Sequence, residues 1–317
     1  MKSKILVTGG VGFVGRALCQ KVASQDFDLM VAVRVESPSI QSGSNVCIPS
    51  LDEQTDWSLA LFEVDAVIHL AARVHVMHEV SKDPLTAFRK TNVLGTLNLA
   101  RQAAAAGVRR FVFISSVKVN GEETHSLRPF CENDLPAPQD PYAVSKWEAE
   151  QGLRAIAADT GMEVVIIRPP LVYGPGVRAN FSALLRAVSI GLPLPLGAIQ
   201  NQRSLIALDN LVDFIVTCTT HANAANQTFL ISDGEDLSTP ELICRIAHAL
   251  NKKPHLFSMP IWSLNAFARL LGKRNALQRL SGNLQVDISK ARSFLDWVPP
   301  ISVDEGLRRT VAVPQNP

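Results

Sequence analysis

Tyr142 and Lys146 are the residues whose types and spacing most directly suggest chemistry. They lie four apart in P-Y-A-V-S-K, so a helix beginning at Pro141 sets them on one face. An ammonium beside a phenol stabilises the phenolate and draws the tyrosine toward the working range of an acid/base catalyst. A lone Y-x-x-x-K is a common coincidence, and its surroundings decide its weight. Ser115 and Ser116 close an apolar run, Phe111–Ser115, and offer a hydroxyl to a substrate alcohol or carbonyl. A third feature is T-G-G-V-G-F-V-G at 8–15, where Gly9, Gly12 and Gly15 are spaced G-x-x-G-x-x-G with Phe13 and Val14 between them. It follows a short apolar run and opens a helical pattern. Glycines there permit a tight turn and a close approach of backbone to a pyrophosphate, while the helix start supplies free N–H groups. Arg34 ends the second apolar run. A guanidinium at that place suits the 2′-phosphate of NADP(H), whereas an acidic residue would suit the ribose of NAD(H); NADP(H) is favoured and NAD(H) stays open.

The elements that must position these groups alternate. Short β runs are expected at Lys4–Thr8, Leu29–Val33, Asn45–Ile48, Ala66–Leu70, Phe111–Ser115 and Glu163–Ile167. Helices are expected from Phe13 to about Ser24, over Pro84–Ala106 with Gly107 as cap, and over Pro141–Thr160 closed by Gly161. Strands alternating with helices imply βαβ units and right-handed crossovers. The fold class expected is α/β: a Rossmann-type doubly wound parallel sheet with a smaller C-terminal α/β substrate lobe. Residues 1–170 form the dinucleotide-binding domain and 171–317 the lobe, interleaved through return segments near 203–232 at Leu205–Leu208 and Thr228–Ile231. The apolar stretch Leu256–Leu271 reads as an amphipathic helix for core or lid duty.

These motifs together resemble the extended short-chain dehydrogenase/reductases, in their nucleotide-sugar epimerase/dehydratase branch. The likeness runs through V-I-H-L-A-A (67–72), K-T-N-V-L-G-T-L-N-L (90–99), F-V-F-I-S-S (111–116), R-P-P-L-V-Y-G-P-G (168–176), R-S-L-I-A-L-D-N (203–210) and D-I-S-K-A-R-S-F-L-D-W (287–297). It implies that Leu70, Ala71, Ala72 and Asn92 line or support the cofactor, with Ser115 beside them, and that Pro169 and Pro170 approach the nicotinamide. It makes Ser116 the catalytic serine, Tyr142 the acid/base, and Lys146 its tuner and ribose anchor. Asn180, Arg203 and Arg279 fall where relatives meet the nucleotide diphosphate, and Arg73 and Lys118 are further substrate-side candidates. Val117 and Lys118 replace the Asp-Glu pair of 4,6-dehydratases, and Val117 replaces the cysteine of C3/C5 epimerases. Leu171 replaces an asparagine frequent in epimerases.

The resemblance therefore implies oxidoreduction at C4 of a UDP-linked sugar. The main expectation is reduction of a UDP-4-keto-6-deoxy-N-acetylhexosamine to UDP-N-acetylquinovosamine for surface polysaccharide. The alternative is a UDP-glucose or UDP-N-acetylglucosamine 4-epimerase with retained NAD, and the third is an inactive NADP-sensing protein. Relatives pair the helices at 84–106 and 141–160 as a homodimer, and Trp147, Leu153 and Ile156 offer apolar positions for it.

Composition sets outer bounds. A chain of 317 residues that is 47% hydrophobic buries a sizeable core. A net charge of +2 and 6% aromatics argue against a nucleic-acid partner. Five scattered cysteines without a C-x-x-C pair suit a reducing cytoplasm. No apolar run reaches the length of a spanning helix. His75 and His78 have the wrong order for a zinc-protease motif, and no metal is expected.

Overall fold

We describe the protein from a computed structural model, which covers residues 2–35, 43–74, 83–124, 128–270 and 274–312. His75 and His78 lie outside these residues. The chain runs β1 (Ser3–Thr8), α1 (Phe13–Ala23), β2 (Phe27–Val33), β3 (Ser44–Cys47), β4 (Ala66–His69), α2 (Pro84–Phe88), α3 (Thr96–Ala105), β5 (Arg110–Ile114) and α4 (Pro141–Thr160). It continues through β6 (Glu163–Arg168), β7 (Leu171–Tyr173), α5 (Ala179–Ser189), β8 (Arg203–Ala207), α6 (Leu208–Thr220), β9 (Thr228–Leu230), β10 (Asp236–Leu237) and α7 (Thr239–Ala249). Four helices close it: α8 (Ile261–Leu270), α9 (Arg274–Ser281), α10 (Ser289–Leu295) and α11 (Val303–Ala312).

Among the described residues, seven parallel strands form one sheet in the order β3-β2-β1-β4-β5-β6-β9. Its central strands β1, β4, β5 and β6 are apolar on both faces, as a parallel sheet covered by helices requires. Along β1, Ile5 and Val7 join one core with Leu18, Cys19 and Val22 of α1 and Leu211, Phe214 and Ile215 of α6. Leu6, between them, joins the opposite core with Leu99, Ala100 and Ala103 of α3 and Ala149, Leu153 and Ile156 of α4. The period of two thus divides one strand between two helical layers. Leu153 and Ile156, expected to serve a dimer face, are instead buried against the chain's own sheet, because that side of α4 must cover β5 and β6.

The return segments part company. Thr228–Leu230 joins the main sheet beside β6, as expected, whereas Arg203–Ala207 pairs with β7 and β10 in a separate three-stranded sheet. That sheet has its own core, including Tyr173, Phe181, Leu205, Ile243 and Leu307. The helix expected over Pro84–Ala106 is present, but its middle, Arg89–Gly95, is wound as a π-helix. No described helix is long and apolar enough to cross a membrane.

Leu153 is fully buried between α4 and the sheet. Leu153→Ala is expected to cost about 2–5 kcal/mol of stability, read as a lowered urea midpoint with the slope unchanged.

Candidate active site

The strand order reverses at β1, since the chain leaves β3 on one side and returns at β4 on the other. Loops after β1 and β4 therefore face one another at the carboxyl edge, where such sheets bind ligands. Gly9 has φ +75°, and a Cβ there would lie 2.7 Å from the Ala71 nitrogen. The Gly12 N–H donates to the Gly9 carbonyl at 2.9 Å, and a Cβ on Gly15 would come within 2.1 Å of that same oxygen. Glycine is thus required by contact at both ends of the turn. Gly12 is the N-cap of α1, no side chain caps it, and its first turn carries no acidic residue. First-turn N–H groups and the positive end of the helix dipole fit a dinucleotide pyrophosphate. Phe13 and Val14 are half-buried behind it, and Leu70, Ala71 and Ala72 line the facing loop. Arg34 is exposed just past β2.

His69 ties these two loops together. Its Nδ1 lies 2.7 Å from Thr8 Oγ1 and its Nε2 2.9 Å from Thr96 Oγ1, while Thr8 Oγ1 accepts the Ala71 N–H at 3.3 Å. Burial, helped by the Lys146 charge, pulls its pKa down to about 3, so the imidazole is neutral. Asn92, in the π stretch, accepts the Arg73 N–H at 2.8 Å and donates to the Arg73 carbonyl and to Ser145 Oγ, both at 3.0 Å. It clasps the post-β4 loop onto α4.

Asp140 caps α4 by accepting the Ala143 N–H at 2.7 Å, and Pro141 opens it. Tyr142 is half-buried, edge-on to Phe88 at 6.1 Å between centroids. The Arg73 guanidinium lies 5.7 Å from the same Phe88 ring. Lys146 Nζ donates to the Ile114 carbonyl at 2.8 Å and stands 4.4 Å from the Phe113 centroid and 6.0 Å from that of Tyr142. Burial lowers Lys146 to about 7, against the opposing pull of Glu150. Burial, with the Asp140 carboxylate adding to it, pushes the Tyr142 phenol up. This reverses the expected direction for the tyrosine. Removing a phenolate from water costs more than an ammonium 6.0 Å from the ring returns.

Ser116 follows β5 in extended backbone, and its Oγ accepts the Lys118 N–H at 3.3 Å. Ser115 turns the other way: its hydroxyl donates to Glu150 Oε1 at 2.5 Å. Arg168, at the end of β6, donates to both oxygens of Glu150, at 3.0 and 2.6 Å, and to Asn120 Oδ1 at 2.9 Å. Glu150 and Arg168 are almost wholly buried. Neither they nor His69 were singled out from sequence. Glu150 lies four residues beyond Lys146 in the same helix, a spacing that was available as a signal. Pro169 and Pro170 are buried beyond β6, and the Pro169 carbonyl accepts the Val117 N–H at 3.0 Å.

The substrate-side candidates scatter more widely. Lys118 is paired with Asp140 rather than presented singly. Asn180 is exposed in the first turn of α5, and Arg279 is exposed on α9. Arg203 is half-buried, donating to the Gly282 carbonyl at 2.9 Å.

A glycine turn at the switch point of a parallel sheet, with a serine after β5 and a tyrosine–lysine pair on α4, is the arrangement of the short-chain dehydrogenase/reductases. Residues 5–232 match the family model described as the NAD dependent epimerase/dehydratase family, and the chain belongs to that family. It is 48% identical over 312 residues to a UDP-glucose 4-epimerase of Vibrio cholerae, covering 98% of this chain and 95% of the relative. It is 25% identical over 334 residues to the dTDP-4-dehydro-6-deoxyglucose reductase of Escherichia coli, covering 98% and 97%. The Thermotoga maritima UDP-glucose 4-epimerase, solved with UDP-glucose, shares the fold with a TM-score of 0.77 at 24% identity, over 98% and 97% of the two chains.

Gly15→Ala is expected to weaken NAD(P) binding by roughly tenfold or more while the far-ultraviolet circular dichroism is retained, as calorimetric titration reads. Arg168→Met strands the Glu150 carboxylate and is expected to cost about 3–5 kcal/mol in urea unfolding. Glu150→Gln in that background is expected to recover part of the loss.

Proposed function

We propose that the protein is an NAD(P)-dependent nucleotide-sugar 4-epimerase, with a UDP-hexose or UDP-N-acetylhexosamine as substrate. The observation that carries this is the end-to-end likeness to the V. cholerae epimerase, 48% identical, around a Ser116–Tyr142–Lys146 group on adjoining elements. It turns the preference from the ketoreductase implied by the sequence resemblance to its epimerase alternative.

The residues divide the work. Bound NAD(P) supplies the acceptor and donor of hydrogen at the sugar's C4. Tyr142 takes the proton of the C4 hydroxyl as that carbon becomes a ketone and returns it when the ketone is reduced. Ser116 donates to the same oxygen and fixes its position. Lys146, steadied by the Ile114 carbonyl, anchors the ribose and lends positive charge to the phenol. Gly9, Gly12 and Gly15 receive the pyrophosphate, and Asn180, Arg203 and Arg279 are assigned to the nucleotide diphosphate of the sugar.

Reduction of a 4-keto sugar is the second reading, favoured by Arg34, exposed just past β2, where a guanidinium suits a 2′-phosphate. The deciding experiment incubates the purified protein with UDP-glucose or UDP-N-acetylglucosamine and catalytic NAD(P), following products by proton NMR. Formation of the 4-epimers without net cofactor consumption is expected. Stoichiometric NADPH oxidation on a UDP-4-keto-6-deoxy-N-acetylhexosamine, with no interconversion, would replace the epimerase reading by the reductase. Tyr142→Phe is expected to lower kcat by about 10²–10⁴ and spare NAD(P) affinity; unchanged turnover would remove Tyr142 from the acid/base role.

A further inference from the structure

Lys118 stands two residues after Ser116, in the 3-10 turn Val117–Val119. Its ammonium pairs with Asp140 Oδ2 and reaches Glu122 Oε1 at 3.5 Å. The other oxygen of Asp140 accepts the Ala143 N–H and caps α4, two residues before Tyr142. One carboxylate therefore meets the serine turn on one side and the tyrosine helix on the other. The two side chains are 33% and 23% exposed, so water screens the pair only in part.

We propose that Lys118 is a positioning residue for the C4 chemistry: its ammonium clamps the Ser116 turn to the start of the Tyr142 helix and neutralises the Asp140 carboxylate that caps that helix. The inference rests on Tyr142 being the acid/base of the reaction above.

The surrounding charges leave this pair as the variable one. Lys146 lies in the same helix as Tyr142, and Arg73 stands across Phe88 from it. Arg89 of the π stretch is paired with Glu148 of α4. His69 is neutral, held so by burial and Lys146. Glu122 meets Lys118 itself. Without the Lys118 ammonium, Asp140 acts at greater strength on the phenol, and the serine turn loses its tether.

The chain contains two tyrosines, which makes a direct test possible. Tyr173 is fully buried and donates to Asp233 Oδ2 at 2.7 Å, so it keeps its proton. The full-length protein is produced with 3,5-difluorotyrosine, whose fluorines acidify the phenol, and titrated by fluorine NMR. Tyr142→Phe assigns the resonances. Lys118→Met is expected to move the Tyr142 midpoint up by about half a pH unit to one unit, and Lys118→Arg to keep it near the parent value. Asp140→Asn retains a good N-cap and is expected to move the midpoint down. In the Asp140→Asn background, Lys118→Met is expected to have no further effect, as a double-mutant cycle requires if the two act through each other. The kcat/KM profile of Lys118→Met is expected to shift the same way with KM little changed. A Tyr142 midpoint unmoved by Lys118→Met, or moved equally with Asn at 140, overturns the proposal. Absence of 4-epimerase activity in the parent protein would overturn the functional reading alone, because the fluorine titration needs no substrate.

Discussion

A carboxylate cut off from water has to be met by donors on every side, and Glu150 imposes that demand on the centre of this fold. Its partners come from separate places in the chain: the hydroxyl of Ser115 after β5 and the guanidinium of Arg168 at the end of β6. Arg154, one turn further along α4, adds a contact at 3.5 Å. Meeting this demand fixes the height of α4 on the sheet. Tyr142 and Lys146 ride on that helix, and Ser116 follows the serine that Glu150 holds. The reactive face is therefore set by an ion pair one helical turn beyond Lys146.

Much of the frame could be read locally. The glycine turn is a run of eight residues, and the tight turn closed by the Gly12 N–H on the Gly9 carbonyl is what its spacing anticipates. The limits of α4 at Pro141 and Gly161 are legible in the sequence, because a proline start and a left-handed glycine stop are short-range signals. The site's supports were harder to see. The Thr8–His69–Thr96 chain joins residues 61 and 27 apart, and Ser115 meets Glu150 across 35. Those partnerships are properties of the sheet order, which no neighbouring residue announces. The same reason explains Leu153 and Ile156: an apolar helix face is visible in sequence, but whether sheet or second subunit covers it is not.

The acid/base pair illustrates a competition rather than a motif. Spacing alone suggested that lysine would acidify tyrosine. In the folded chain both groups are drawn toward their neutral forms, the phenol upward and the ammonium down to about 7. Desolvation acts on each separately, whereas their attraction requires both to be charged together. Proton traffic at this site is accordingly governed by which further charges come near, and the nearby carboxylate and ammonium at positions 140 and 118 belong to that set.

The π-wound middle of the helix between Pro84 and Ala105 carries one last implication. A π turn holds an extra residue relative to an α turn, so it acts as an insertion accommodated without a loop. Asn92 uses that widened turn to clasp Arg73 and Ser145 at once. Phe88 before it and Leu99 after it are both buried. Counting matters more than composition in this segment: loss of a single residue would restore ordinary winding and swing the preceding turn by about 100° around the axis. Alignments that place a gap between 89 and 95 thus mark a change in the wall of the site, even where every flanking letter is retained.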